Sequence, residues 1–439
     1  MALANTPSPP MGWNSWDCFG TTVTEAEVLA NAEFMAEFLL AYGWDTVVVD
    51  IDWADPTARA HGYNPGAPLE MDAVGRLLPD LGRFPSAAGG LGFRPLADRI
   101  HALGLRFGIH VMRGIPRAAV ERNTPVLGTS SRAGDIADPA NVCEWNPDMV
   151  GLDHTLPAAQ DYYDSVLALY AGWGVDFIKA DDMLWPYQAA DIEAFAGAIE
   201  KCGRQIALSL SPGRDLSLTR LDHLREHATT WRICDDLWDR WEDIRDNFAR
   251  FARWAPHAGP QGWPDGDMLP LGRIGIRAER GEARDDQLTH DERVTLLTLW
   301  VMARSPLMIG GDLPSSDPAT VALFTNADVL DVHRSSTDNR EVFREGPLVL
   351  WAAHGPGGTR YAAAFNLGET PLAVALDAAN VGLPRVLEGE VRELWTSALL
   401  HPRTVTAQSN AARGVAPGNC ALDISLPPHG AALLRYVPR

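Results

Sequence analysis

The residues that could do chemistry gather at the ends of short apolar runs. In Trp173-Gly174-Val175-Asp176-Phe177-Ile178-Lys179-Ala180-Asp181-Asp182, a β-branched and aromatic run after a glycine reads as a buried strand ending on a cation and two carboxylates. Val47-Val48-Val49-Asp50-Ile51-Asp52 repeats the pattern, and so does Thr230 to Asp236 with Arg232, Asp235 and Asp236. His110 sits late in the run Leu105 to Met112, Trp16 closes Met11-Gly12-Trp13-Asn14-Ser15-Trp16, and Asp265 and Asp267 lie in the loop Gly259 to Leu269. Carboxylates facing each other across a neutral ligand, with aromatic rings to stack on its apolar face, suit glycoside cleavage. One acid must stay ionised as nucleophile while the other carries a proton for the leaving oxygen. Alternation along a strand puts Lys179 with Asp181, Asp50 with Asp52, and Arg232 with Asp236 on shared faces. That favours Asp181 over Asp182, and Asp236 over Asp235, as the acting acids.

These ends need a frame that brings them together. Thr24-Glu25-Ala26-Glu27 has capping-box spacing, Val28, Ala32, Met35 and Leu39 follow at helical period, and Gly43 stops the run. About eight such strand-then-helix alternations predict an α/β fold, a (β/α)8 TIM barrel over 1–335, whose strand ends open on one mouth. The connection Arg113 to Leu156 is several times the usual length and is expected to shape a ligand site. From about Glu341 short apolar strands separated by Gly, Pro and Asn predict a C-terminal antiparallel β-sandwich over 336–439, with packing and solubility roles.

Composition narrows the partners. Of 439 residues 46% are hydrophobic and 21% charged, as in a folded soluble protein, and 37 Lys+Arg against 57 Asp+Glu leave a net charge of −20. That balance repels nucleic acid and anionic membrane and points to a neutral ligand. The start Met1-Ala2-Leu3-Ala4-Asn5-Thr6-Pro7 is too short and polar for a secretory signal, and no long apolar stretch offers a membrane span, so a cytoplasmic protein is expected. Five dispersed cysteines without C-x-x-C spacing indicate neither a disulfide frame nor a zinc site. The expected partner is an oligosaccharide or glycoside, with no cofactor and no metal; homo-oligomer formation stays open.

Taken in order, Met11 to Trp16, Lys179-Ala180-Asp181, Trp231-Arg232 ahead of Asp236, Gly262-Trp263-Pro264-Asp265-Gly266-Asp267-Met268-Leu269 and Ala303-Arg304-Ser305-Pro306-Leu307-Met308 resemble glycoside hydrolase family 27, the melibiase-type α-galactosidases and their relatives. The resemblance runs from Pro9 to about Ser335, and the β-rich tail fits the family's C-terminal domain. It implies a retaining, exo-acting hydrolase that removes a terminal α-galactosyl-type residue without a cofactor. Carried over by position, it makes Asp181 the nucleophile and Asp236 the acid/base. Lys179, Arg232, Asp50 and Asp267 would bind sugar hydroxyls, Trp16 would stack on the ring, and His110 matches a sugar-contacting Tyr.

Two departures bear on the substrate. Where the α-galactosidases carry Asp-Asp-Cys-Trp, this chain has Asp50-Ile51-Asp52-Trp53, which alters binding around the sugar's 4- and 6-positions. At the fifth strand a Glu that crowds the 2-position is replaced by Ser211, as in the α-N-acetylgalactosaminidases. α-N-Acetylgalactosaminidase and β-L-arabinopyranosidase activities are the alternatives inside the family. A non-catalytic carbohydrate-binding barrel is disfavoured because both acids are present. A Lys179 aldolase is opposed by the carboxylates that keep the amine protonated, and a zinc hydrolase by the lack of a His-rich cluster.

Overall fold

Short apolar runs bounded by Gly, Pro and Asp become eight parallel strands in the computed structural model, which describes residues 6–385, 387–405 and 419–439. Met1 to Asn5, on which the no-signal reading partly rests, lie outside these residues. The strands are β1 (Met11–Asn14), β2 (Thr46–Val49), β3 (Arg106–Met112), β4 (Phe177–Asp181), β5 (Ala207–Leu210), β6 (Thr230–Arg232), β7 (Trp263–Asp265) and β8 (Leu307–Ile309). They pair in chain order from β1 to β7, with β8 on the free side of β1. Closure between β7 and β8 runs through Leu269, which bridges Ile309 and bonds Met308 and Gly310 through its backbone. Both faces of the sheet are covered, which is why β2 reads as an unbroken run of valines, all fully buried.

Helices between the strands supply the outer layer. Glu25–Phe34, between β1 and β2, carries the expected capping box: Thr24 accepts from the Glu27 N–H while the Glu27 carboxylate accepts from the Thr24 N–H. At Gly12 the β1 backbone runs so close to Thr46 of β2 that a Cβ would lie 2.0 Å from its carbonyl oxygen, so only glycine fits. Gly266 packs against the Phe251 ring, where a Cβ would come within 2.3 Å, and this seats the Asp265–Asp267 turn at the end of β7.

Some expectations needed correction. The Arg113–Leu156 connection is not a plain loop: Ile115–Pro116, Ala137–Val142 and Met149–Leu152 form a small antiparallel sheet on the barrel rim. The second and sixth strands are shorter than predicted, ending at Val49 and Arg232. Alternation therefore does not govern Asp52, which has φ 66°, nor Asp236, which lies beyond its strand.

Beyond Ser336 the described residues form two antiparallel sheets, of six and three strands, over a second core. Their strands include Thr337–Glu345, Leu348–His354, Arg360–Asn366, Leu372–Asp377, Gly389–Glu393, Cys420–Leu426 and Ala431–Pro438, in keeping with the short apolar strands expected from about Glu341. The helix His290–Ala303 joins the two parts, buried along nearly its whole length. Glu292 pairs with His429 at 2.7 Å, and the His429 ring stacks on Trp241 at 4.0 Å. No helix among the described residues is long and apolar enough to cross a membrane.

Candidate active site

The mouth is built from strand ends inward. Lys179 and Asp181 lie two apart on β4, and both side chains reach toward the β2–β3 side. Lys179 Nζ bonds Asp50 Oδ2 at 2.9 Å, and Asp181 Oδ2 lies 3.0 Å from His110 Nε2 on β3. Asp50 is 2% exposed and also accepts from Asn14 Nδ2 at 2.7 Å, while its backbone N–H donates to Ser15 Oγ at 3.0 Å. Asn14 and Ser15 thus give part of the Met11–Trp16 motif a direct task.

Burial alone would raise the Asp181 carboxyl. The His110 hydrogen bond and the charges of His110, Lys179 and Arg232 overcome it and hold the acid well below the ordinary carboxylate range. Its other oxygen accepts the Asp182 N–H at 2.9 Å. Asp50 is depressed in the same way, against burial, chiefly by Lys179. For Lys179 burial acts downward, but Asp50 and Asp181 outweigh it and keep the ammonium charged. Asp182 turns away from this group with φ 59° and pairs with Arg113 at 2.6 Å. Burial, opposed by Arg113 and aided by Asp181, pushes it up to about 6.

The opposite wall is organised by one guanidinium. Arg232 ends β6 and pairs through Nη1 with Asp267 and through Nη2 with Asp236. Asp267, with φ 78°, is fixed further by the Leu237 N–H on Oδ2 at 2.8 Å. Asp236 projects to the rim with a side chain 36% exposed. Asp235 is more open still and lies 3.9 Å from Arg214. Asp265 accepts the Asp267 N–H at 2.9 Å and so structures the turn. Ser211 lines a small cavity with Lys179, Arg232 and Asp267, and its buried hydroxyl has no hydrogen-bond partner among the described residues. No three His, Cys, Asp or Glu side chains among the described residues converge as a metal site.

Three aromatic rings close the remaining side. Trp16 is 5% exposed and stacks on Tyr63 with centroids 5.6 Å apart, and Tyr63 leans on Trp145 at 5.4 Å. Trp16 is therefore a shared wall and not an open platform. Burial, then the charges of Asp236 and Asp181, keep the Tyr63 hydroxyl neutral, so this ring stands near both acids. Ile51, Met112, Met149 and Met268 belong to the same apolar cluster.

Of the sequence-selected residues, Asp50, His110, Lys179, Asp181, Arg232, Asp236, Asp267, Trp16 and Ser211 gather at this mouth. Asp52 is the exception, since it does not share a face with Asp50. It lines a small neighbouring cavity with His110, Asn146 and Asp148. Tyr63 and Trp145 were missed. They sit in long connections whose only sequence signal was length, and the Trp145 segment is the one expected to shape a ligand site.

Comparison with known proteins agrees with this geometry. A family model for α-galactosidase A matches residues 151–335, and one for the α-galactosidase C-terminal β-sandwich domain matches residues 345–436. An α-galactosidase of Coffea arabica is 28% identical, over 92% of this chain and 90% of its own length. The crystal structure of a family 27 β-L-arabinopyranosidase from Geobacillus stearothermophilus superposes with a TM-score of 0.93 and is 44% identical, covering 100% of both chains. A Bacillus halodurans structure, provisionally named an α-N-acetylgalactosaminidase, gives 0.86 at 44% identity, again over 100% of both chains. An acid-rich mouth on a (β/α)8 barrel with a β-sandwich tail, shared along the full chain at such identity, places this protein in glycoside hydrolase family 27, and it is a glycoside hydrolase.

Proposed function

We propose that the enzyme removes terminal sugars of galactose configuration with retention, and that it prefers β-L-arabinopyranosides to α-D-galactosides. Asp181 is the nucleophile and Asp236 the acid/base. Asp236 protonates the departing oxygen while Asp181 attacks the anomeric carbon, and water assisted by the ionised Asp236 then releases the sugar. Lys179, Asp50, Arg232 and Asp267 bind hydroxyls.

The observation that carries the sugar preference is Ile51. β-L-Arabinopyranose is α-D-galactopyranose without the C6 hydroxymethyl arm. Next to Asp50, where the α-galactosidases carry a second carboxylate near the 4- and 6-positions, this chain presents a 3% exposed isoleucine packed among Trp16, Tyr63 and Met112. An apolar wall welcomes a bare C5 methylene and leaves a C6 hydroxyl unpaired. The 44% identical Geobacillus stearothermophilus neighbour, described as a β-L-arabinopyranosidase, supports the same reading.

A panel of nitrophenyl β-L-arabinopyranoside, α-galactoside, α-N-acetylgalactosaminide and α-glucoside tests it. The expected result is a kcat/KM for the arabinopyranoside about tenfold to a hundredfold above that for the galactoside, the cost of one unpaired buried hydroxyl. Equal or higher turnover of the galactoside contradicts the preference, and a preference for the acetamido sugar would shift attention to Ser211.

A further inference from the structure

His110 lies on β3 with its side chain 2% exposed, beside the strand that carries Asp181. Its backbone carbonyl accepts Trp53 Nε1 at 2.7 Å, which fixes the strand end. Both oxygens of Asp181 are therefore held, one by the Asp182 peptide N–H and the other by an imidazole 3.0 Å away. Asp181 is kept ionised despite its burial and brings no proton to that contact, so Nε2 is the donor. A donor committed to the carboxylate is not presented to the sugar, in contrast to the sugar-contacting role expected at this position.

We propose that His110 is a positioning residue for the second half of the reaction: its Nε2–H stabilises the Asp181 carboxylate as it departs from the sugar. This rests on Asp181 being the nucleophile. In the first step an Asp181 oxygen lone pair forms the bond to the anomeric carbon. The glycosidic bond breaks, and the leaving oxygen takes the Asp236 proton. In the second step water oxygen bonds to that carbon and gives a proton to Asp236, and the ester bond breaks with its electron pair returning to Asp181. A hydrogen bond to a carboxylate is charge-assisted and stronger than one to an ester. The His110 donor thus stabilises the starting state of the first step and the product of the second. Its removal makes ester hydrolysis the slow step.

The test compares His110→Phe, His110→Asn and His110→Gln by rapid mixing with whichever nitrophenyl glycoside the parent turns over fastest. Phe offers no donor, Asn is too short to reach, and Gln can donate from near the Nε2 position. For His110→Phe and His110→Asn kcat should fall about tenfold to a hundredfold, with KM falling alongside and a burst of about one nitrophenolate per site. Acid quenching should find the sugar on the peptide that contains Asp181. His110→Gln should recover most of kcat and show no burst. Should the Phe variant fail to fold, the Asn and Gln pair carries the comparison. A raised or unchanged KM without a burst in the donorless variants overturns the proposal. The sugar appearing on another peptide overturns the Asp181 assignment instead, so the two failures are distinguishable.

Discussion

Asp181 and Asp236 are both aspartates held by nitrogen donors on a barrel strand, His110 and Arg232, yet the two walls that hold them are built differently. On the β2–β4 wall Asp50 and Asp181 are both enclosed and held by fixed donors: Asp50 takes Asn14 and Lys179, and Asp181 takes His110 and the Asp182 N–H. On the β6–β7 wall Asp267 is equally enclosed, but Asp236 stands at the rim, 36% exposed, with Arg232 as its one ion-pair partner among the described residues. The difference matches two tasks. A nucleophile must remain ionised and aimed, so it benefits from fixed donors that need no rearrangement. A general acid/base must give a proton to a leaving group and take one from water, so it needs an open side.

The largest way to break this contrast is at the rim. Asp236→Ala should cut turnover of a nitrophenyl glycoside by about 10²- to 10⁴-fold, the usual worth of general acid–base help. Turnover of a dinitrophenyl glycoside, whose leaving group needs no proton, should retain a fast first step, and added azide should restore steady turnover by yielding a glycosyl azide. Equal losses for both leaving groups, with no azide effect, would remove Asp236 from the role.

A middle-sized effect lies in the guanidinium that links Asp236 to Asp267. Arg232→Lys keeps the charge but cannot bridge Asp236 and Asp267 at once, and kcat/KM should drop about tenfold. An unchanged value would show that the bridge is dispensable.

The smallest effect sharpens the buried side. Among the described residues Asp52 has no hydrogen-bond donors comparable to those that hold Asp181. Burial, with Asp55 and Asp148 adding against the pull of His110 and Arg83, pushes it up to about 7. The folded chain then keeps a proton that the unfolded chain has lost by about pH 4. Stability from this group is full below that pH and is lost as pH rises through about 7. Asp52→Asn should therefore show a smaller fall in melting temperature than the parent between about pH 5 and pH 8.5. Parallel slopes would contradict it.

What the sequence made legible followed the strands. On β4 alternation keeps Lys179 and Asp181 on one face because the strand continues through Asp181, after which Asp182 turns out with φ 59°. The same rule failed for Asp50 and Asp52 and could not be applied to Asp236, because β2 and β6 stop at Val49 and Arg232. Asp236 still reaches the site through its direct pair with Arg232. Tyr63 was out of reach because distant segments place it. His61 is pinned by the Arg277 carbonyl at 3.1 Å and Gly66 donates to Asp148 at 2.6 Å, contacts with no local signature. Trp16 was found by motif, but its stacking on Tyr63 could be seen only in three dimensions.

A covalent sugar on Asp181 can be trapped with a 2-deoxy-2-fluoro-β-L-arabinopyranosyl fluoride. The fluorine slows both steps, and the good leaving group lets the first one proceed. The expected result is inactivation with one sugar per chain, mapped by peptide mass spectrometry to Asp181, and recovery on prolonged incubation. A label on any other residue, or a first-formed product of inverted anomeric configuration with the unfluorinated substrate, would contradict it.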